Sequence, residues 1–338
     1  MEVYRPNQLD YNIISSRVRL ARNLTEECFY IRDEAFAKSV IQRALTAVNR
    51  LEPFDLFILS SMPELTIEGM KERHLISQAL IDNRERSAVL INRDESISVM
   101  IHEEDVFREQ CFMRGLQVAE AYKMLSKTDD ALARAFQIAF DAKLGYLTAC
   151  PTNLGTGMRA SVMLFLPALT ESRRLEELLP KIKELGLTIR GVYGEGSRAD
   201  CYMYQVSNEV TLGVSEKEIL DSVEETVISL CKAEQAMCRD YFRRNRLQVA
   251  DRCGRAFGIL TNCALLDYDE FLQLAASVKM GVVLGILPFD IRKIDDLVIA
   301  MRPATISLNE GRRLSPQECA RRRAEIVSVF FNEISERG

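Results

Sequence analysis

The segment Ser15-Ser16-Arg17-Val18-Arg19-Leu20-Ala21-Arg22 places two arginines two residues apart. In an extended chain such positions leave the backbone on the same side, so Arg17 and Arg19 would point together. Three more arginines sit in distinctive settings: Arg108 just after Glu103-Glu104-Asp105, Arg159 just after the turn Gly155-Thr156-Gly157, and Arg190 just before Gly191-Val192-Tyr193-Gly194-Glu195-Gly196. The guanidinium is a planar fork of N–H donors that matches phosphate oxygens in pairs. Converging from separate parts of the chain, these five could grip one polyanion. A nucleoside triphosphate with Mg2+ suits them, because phosphoryl transfer is catalysed mostly by positioning and charge stabilisation. Taken singly, each arginine reads more readily as a surface cation beside a carboxylate.

Two acids point to a second substrate. Glu104 follows a β-like run and Glu195 sits in a Gly-rich turn. Carboxylates near a triphosphate repel it unless they hold a cation, and a guanidinium fits them through paired hydrogen bonds. With a pKa above about 12, a guanidinium attacks phosphorus only after losing a proton, so a positioned base is required. The alternative for either acid is a solvated loop carboxylate. Cys150 opens Cys150-Pro-Thr-Asn-Leu-Gly-Thr-Gly157, where proline and the glycine turn restrict the thiol. Familiar nucleotide motifs are missing: there is no G-x-x-x-x-G-K-[ST] loop and no V-A-I-K, H-R-D or D-F-G set. Gly155-Thr-Gly157 is too short for a dinucleotide fingerprint, and Val106 stands where a zinc-protease motif starting at His102 needs its second histidine.

The elements that must position these residues are partly legible. Ala88–Asn92 and Ile97–His102 are β-like runs at hairpin spacing and predict an antiparallel pair. Gly145–Cys150, Ala160–Leu166, Leu187–Val192 and Tyr202–Val206 are further strand candidates. Residues 112–125 and 129–142 have helical spacing, and Arg174–Leu185 reads as a helix ending at Gly186. Ser215-Glu-Lys-Glu218 and Ser315-Pro-Gln-Glu318 are capping boxes, the first opening a helix to about residue 240. Helical patterns recur at 243–262 and 268–286. The expected fold is α/β (α+β), a largely antiparallel sheet flanked by helices, with a catalytic unit at 12–240 and an all-helical unit at 241–338.

Composition bounds the function. The 338 residues are 47% hydrophobic and 28% charged, with net charge −5, which argues for globular domains and against a generic nucleic-acid binder. No apolar run reaches the ~18–20 residues of a membrane span, and the start MEVYRPNQLD does not read as a signal peptide. Nine scattered cysteines without C-x-x-C suggest reduced thiols in the cytoplasm. Of 44 basic residues most are arginine, consistent with either anion recognition or codon bias.

The combination resembles the phosphagen kinase (ATP:guanidino phosphotransferase) family, and most strongly its bacterial branch of protein-arginine kinases. The carrying motifs are SSRVRLARN at 15–23, EED…R at 103–108, GYLTACPTNLGTGMRASVM at 145–163 and IRGVYGEGS at 189–197. The resemblance covers roughly residues 12–237 and, more weakly, the helical C-terminal region. It implies an ATP site of Ser15, Ser16, Arg17, Val18, Arg19, His74, Arg108, Arg159, Ala160, Ser161, Val162, Met163, Arg190, Gly191, Val192, Tyr193, Gly194 and Glu195, with Mg2+ held mainly by ATP and no metal site of protein ligands. Glu104 would be the base, Glu195 the second carboxylate on the guanidinium, and Cys150 its neighbour. Family members acting on small free guanidines carry a helical domain before the first motif. Here that motif begins at Ser15, so an open site for arginine on protein substrates is expected. A homodimer built by the C-terminal helices, an activator protein, a heat-shock repressor and a Clp protease are the implied partners. Two departures stand out. His102 and Val106 replace the Asn and His that usually flank EED, and Cys319-Ala320 replaces the Arg-Asp of a phosphoarginine-binding Arg-Asp-x-x-Arg-Ala motif, leaving Arg323-Ala324. Activation by free phosphoarginine is therefore expected to be weak or absent.

Overall fold

A computed structural model describes residues 11–25, 34–191 and 200–335. Its centre is an eight-stranded sheet whose strands, in spatial order, are β2 (Phe54–Ile58), β3 (Ala88–Asn92), β4 (Ile97–Ile101), β5 (Phe107–Arg114), β1 (Ile13–Arg22), β8 (Met158–Phe165), β10 (Met203–Asn208) and β9 (Leu187–Gly191). Every neighbouring pair is antiparallel. A two-stranded ribbon, β6 (Phe140–Asp141) with β7 (Gly145–Tyr146), stands beside it.

Alternation along the strands divides the sheet into two faces. Val18 and Leu20 of β1, with Ala160 and Val162 of β8, enter the core beneath α1 (Glu34–Val48), α4 (Val118–Ala135) and α7 (Glu216–Arg244). Their sequence neighbours Arg17, Arg19 and Arg159 emerge on the other face. The strands β3 and β4 are buried at every residue, because α2 (Glu64–Glu72) and α3 (Gln78–Asp82) cover their second side through Val89, Ile91 and Met100. That explains why AVLIN and ISVMI are continuous rather than alternating apolar runs. Their hairpin forms as the spacing predicts.

The helical patterns before residue 143 are redrawn. Residues 112–114 complete β5, a single helix α4 covers 118–135, and β6 and β7 follow it. Packing decided this: Cys111 pairs with both Ile97 and Val18 in the ladder, so FREQCFMR is recruited into the sheet centre despite weak strand character. Gly145–Cys150 retains only a two-residue strand. The helix at 174–185 forms as α6 (Arg174–Glu184), followed by Gly186 at φ 71°.

Past α5 (Pro167–Glu171), the long helix α7 starts at the expected box, Ser215 Oγ accepting from Glu218 N. It runs on into α8 (Arg246–Asn262), α9 (Tyr268–Val283), α10 (Ile291–Ala300), α11 (Pro303–Asn309) and α12 (Pro316–Ser335). Ser315 and Glu318 cap α12 reciprocally. These helices share a second core around Phe271, Ile294 and Phe331, which extends to Phe165 and Ala168 at the end of β8 and start of α5. Among the described residues no helix is long and apolar enough to cross a membrane.

Candidate active site

The arginine face is a product of strand register. Arg19 stands opposite Gln110 on β5 and opposite Arg159 on β8, Arg108 lies opposite Ala21, and Arg190 is carried beside Gln205 on β10. Period-two pairing therefore lines up Arg17, Arg19, Arg108, Arg159 and Arg190 on the surface that the main helical layer leaves uncovered. Arg17 and Arg19 sit mid-strand, and their Nε atoms are buried without a hydrogen-bond partner among the described residues. Burial, then the charges of Arg108 and Arg159, pull the Arg17 guanidinium down to about 10. Arg19 is also held well below its ordinary value, by burial and then by Arg17, Arg108 and Arg159. Burial and then Arg190 and Arg108 lower Arg159, whose Nη2 donates to Ser207 Oγ at 2.9 Å. Mutual repulsion within this set is what a polyanion would relieve.

The acidic loop lies at one edge. Arg108 Nη1 is 3.0 Å from both oxygens of Glu103, which also accepts from Ser77 Oγ at 2.5 Å and from Glu104 N at 2.9 Å. Burial pushes Glu103 up, but Arg108 and these donors together leave it below the usual carboxylate range. Glu104 by contrast is exposed, with Oε2 4.0 Å from Arg108. Buried Asp105 does the joining: it accepts from Asn23 Nδ2 at 2.6 Å and from Ala149 N at 2.7 Å. Burial raises Asp105, and those two donors oppose the rise. Glu104 and Cys150 are thus each one residue from the same hydrogen bond. Asn23 completes the bracket by accepting from Val106 N at 2.9 Å and donating to Leu147 O at 3.1 Å.

Cys150 is half-buried, its Sγ 3.0 Å from Thr152 Oγ1. Behind it the glycine turn is required sterically. Gly155 has φ 113°, and a Cβ there would meet Thr211 O at 2.2 Å; Gly157 has φ 61°, and a Cβ would meet Arg22 Nη1 at 2.6 Å. Arg22, on the core face, forms a 2.8 Å ion pair with Asp129 and stacks on Tyr146. This pins β1 to the turn.

His74 follows α2 in a left-handed backbone (φ 61°), and its carbonyl accepts from Gln110 Nε2 at 2.7 Å. Ser15, Ser161, Met163 and Gly191 lie on or beside the arginine face. Ser16, Val18, Ala160 and Val162 do not offer side chains there: strand alternation turns them into the core, and Ser16 Oγ bridges Gly115 O and Gln117 N at the start of α4. Val192, Tyr193, Gly194 and Glu195 lie outside the described residues. At the departures from the family pattern, His102 Nε2 contacts Ala37 O at 3.2 Å on α1 and Val106 is buried. Sequence reasoning did not assign roles to Asn23, Glu103, Asp105 or Gln110. The first three fall in quoted motifs, whereas Gln110 has no local signal because only the sheet brings it to Arg19 and His74.

Five guanidiniums on one sheet face, with a carboxylate and a thiol bracketed at its edge, have the chemistry that handling phosphate requires. The sequence pattern of the ATP:guanido phosphotransferase C-terminal catalytic domain matches residues 36–237, and the chain belongs to that family of enzymes. Residues 246–338 match the protein-arginine kinase McsB C-terminal domain. The chain is 39% identical over 327 residues to the protein-arginine kinase of Caldanaerobacter subterraneus subsp. tengcongensis, covering 95% of this chain and 97% of that one. It is 40% identical to the protein-arginine kinase of Symbiobacterium thermophilum, over 93% of this chain and 92% of the relative. Among solved structures, lombricine kinase aligns with TM-score 0.60 at 26% identity, over 69% of each chain.

Proposed function

We propose that this chain transfers the γ-phosphoryl group of Mg-ATP to arginine side chains of proteins, the activity named for its relatives. The observation that supports it best is the shared arginine face with Glu104 and Cys150 bracketed beside it through Asp105. Arg17, Arg19, Arg108, Arg159 and Arg190 would take the phosphate oxygens and stabilise charge as it spreads in transfer. The cationic face suits the nucleotide's phosphates, and Mg2+ would arrive bound to them. The ion supplies charge neutralisation between phosphates. Glu104 takes the guanidinium proton as a terminal nitrogen attacks the γ-phosphorus; the N–P bond forms, the P–O bond to ADP breaks, and phosphoarginine and ADP leave. Cys150 and Glu195 would flank the guanidinium.

In this reading 12–240 is the catalytic unit and 241–338 a helical unit that builds a homodimer. A cytoplasmic setting, an activator protein, a heat-shock repressor and a Clp protease as partners in a stress response follow from the family resemblance.

Phosphorus NMR tests the reaction, with Mg-ATP and an arginine-rich protein or free arginine, and without acid quench because the N–P bond is acid-labile. An N-phosphoryl signal on protein is expected. Signal on free arginine alone would convert the enzyme into a free-guanidine kinase. Glu104→Gln should lower transfer by about 10²–10⁴-fold while Mg-ADP still binds; unchanged transfer removes Glu104 as the base.

A further inference from the structure

Among the described residues, the helical part of the chain meets the arginine-face side of the sheet at more than one place: Asp296 of α10 pairs with Arg114 of β5, and α11 docks beside His74. His74 has a left-handed backbone (φ 61°), uncommon outside glycine though histidine adopts it more readily than most residues. Gln110 holds its carbonyl from the sheet side. From the helical side, Glu72 accepts from Ala304 N and Thr305 N, both at 2.8 Å, and from the Thr305 hydroxyl at 2.9 Å. The residue just before α11, Arg302, places Nη2 3.3 Å from His74 Nε2, while its Nε donates to Tyr268 Oη at 3.3 Å. A guanidinium has donors only, so His74 Nε2 is the acceptor and the neutral ring carries its proton on Nδ1.

We propose that Arg302 is a positioning residue of the nucleotide site: supplied by the helical part, it fixes the tautomer and orientation of His74, so that nucleotide binding on the arginine face depends on α11 being docked against α2. This rests on the kinase reading above and extends it to a residue outside the catalytic domain match. The electrostatics agree. Burial, then Arg302, then Arg17 push the His74 ring down to about 4. The other charges near this turn are engaged elsewhere, Glu72 by α11 and Arg73 by Glu95. A mere docking contact would hold the helices together without altering how His74 meets a ligand.

The chain has only two histidines, His74 and His102, so ring-proton NMR resolves the question directly. Full-length wild type, Arg302→Ala, Arg302→Lys, His74→Gln and the double variant Arg302→Ala/His74→Gln are compared, with Mg-ADP as the binding probe. Loss of a charge-assisted hydrogen bond predicts Mg-ADP affinity about 10-fold weaker or more in Arg302→Ala, a matching rise in KM for ATP, and kcat within about two-fold. The His74 midpoint should move up, toward the ordinary histidine range. Arg302→Lys should restore part of the affinity. The double variant should bind no more weakly than His74→Gln, because Arg302 acts through His74. Unchanged affinity and an unchanged His74 titration in a folded Arg302→Ala protein overturn the proposal, as do fully additive losses. If Arg302→Ala does not fold, an Arg302→Lys protein with wild-type affinity beside a His74→Gln protein with wild-type affinity does the same. A wild-type chain that binds no Mg-ADP overturns the kinase reading, and this proposal with it.

Discussion

Arg19 and Arg22 lie three residues apart on one strand and have opposite fates. Arg22 faces the core, where burial would lower its pKa, but the Asp129 ion pair and hydrogen bonds hold it above the ordinary value. Arg19 faces three other guanidiniums, and Glu103 opposes their effect on it. A buried charge without a matched partner destabilises a fold, because its desolvation is not repaid. Arg19→Met should therefore leave the melting temperature of the nucleotide-free protein unchanged or higher. The same variant should lose most of the stabilisation that wild type gains from Mg-ADP. Thermal unfolding with and without Mg-ADP checks both halves; a large drop without nucleotide would show that Arg19 holds the sheet together. The expected pair of outcomes would mean the face trades some stability for ligand binding.

At the scale of elements, Glu234 shows how α7 is joined to the rest. Its carboxylate, fully buried, accepts from Ala168 N at 2.7 Å and Leu169 N at 2.8 Å, closing the start of α5 where no local cap exists. Burial raises it to about 7, against the opposing pull of those two amides. The sign follows from linkage. A carboxyl whose folded pKa lies above its unfolded value binds more protons folded than unfolded, so its contribution is full below the unfolded value and is lost as pH rises through the folded one. Stability should fall by about 3 kcal/mol between pH ~4.5 and ~7 from this group alone. Glu234→Gln should flatten that segment of a denaturant-midpoint profile; an unaltered slope would assign the dependence elsewhere. The bracket of Asn23 and Asp105 works differently, because its hydrogen bonds orient two loops toward each other rather than two elements.

For the whole molecule, the two cores meet at Phe165 and Ala168, and Lys279 of α9 stacks 4.5 Å from the Phe165 ring. A second junction joins α2 to α11 through Glu72, and Arg313 pairs with Glu68 at 2.9 Å beside it. At the position of the family's phosphoarginine motif, Cys319 and Ala320 are buried. The remaining Arg323 donates Nε to Met301 O at 2.8 Å and Nη1 to Leu266 O at 2.7 Å, under the Tyr268 ring. A guanidinium held by two backbone carbonyls braces the approach to Arg302 and is poorly placed to release donors to a ligand. Free phosphoarginine added to a transfer assay should accordingly change the rate by less than about two-fold. A strong rise in rate would show that a ligand reaches this helix despite the missing Arg-Asp pair.

Local order set a good deal of this protein in advance. Alternation put Arg17 and Arg19 together, hairpin spacing paired β3 with β4, and two capping boxes opened α7 and α12, because each depends on residues within a few positions of one another. The motifs around Glu104, Cys150 and the glycine turn were legible for the same reason. What local order could not decide was which strand neighbours which. FREQCFMR forms β5 between β4 and β1, pairing with both, and that placement sets Gln110 against Arg19 and His74. Likewise, Ser16, Val18, Ala160 and Val162 share their motifs with site residues, yet face the core because a strand has two sides and packing selects one. Arg302 stands 228 residues from His74 in sequence, and no periodicity or motif connects positions so far apart. Their meeting depends on burying apolar surface between two cores, which is a property of the folded chain and not of any segment in it.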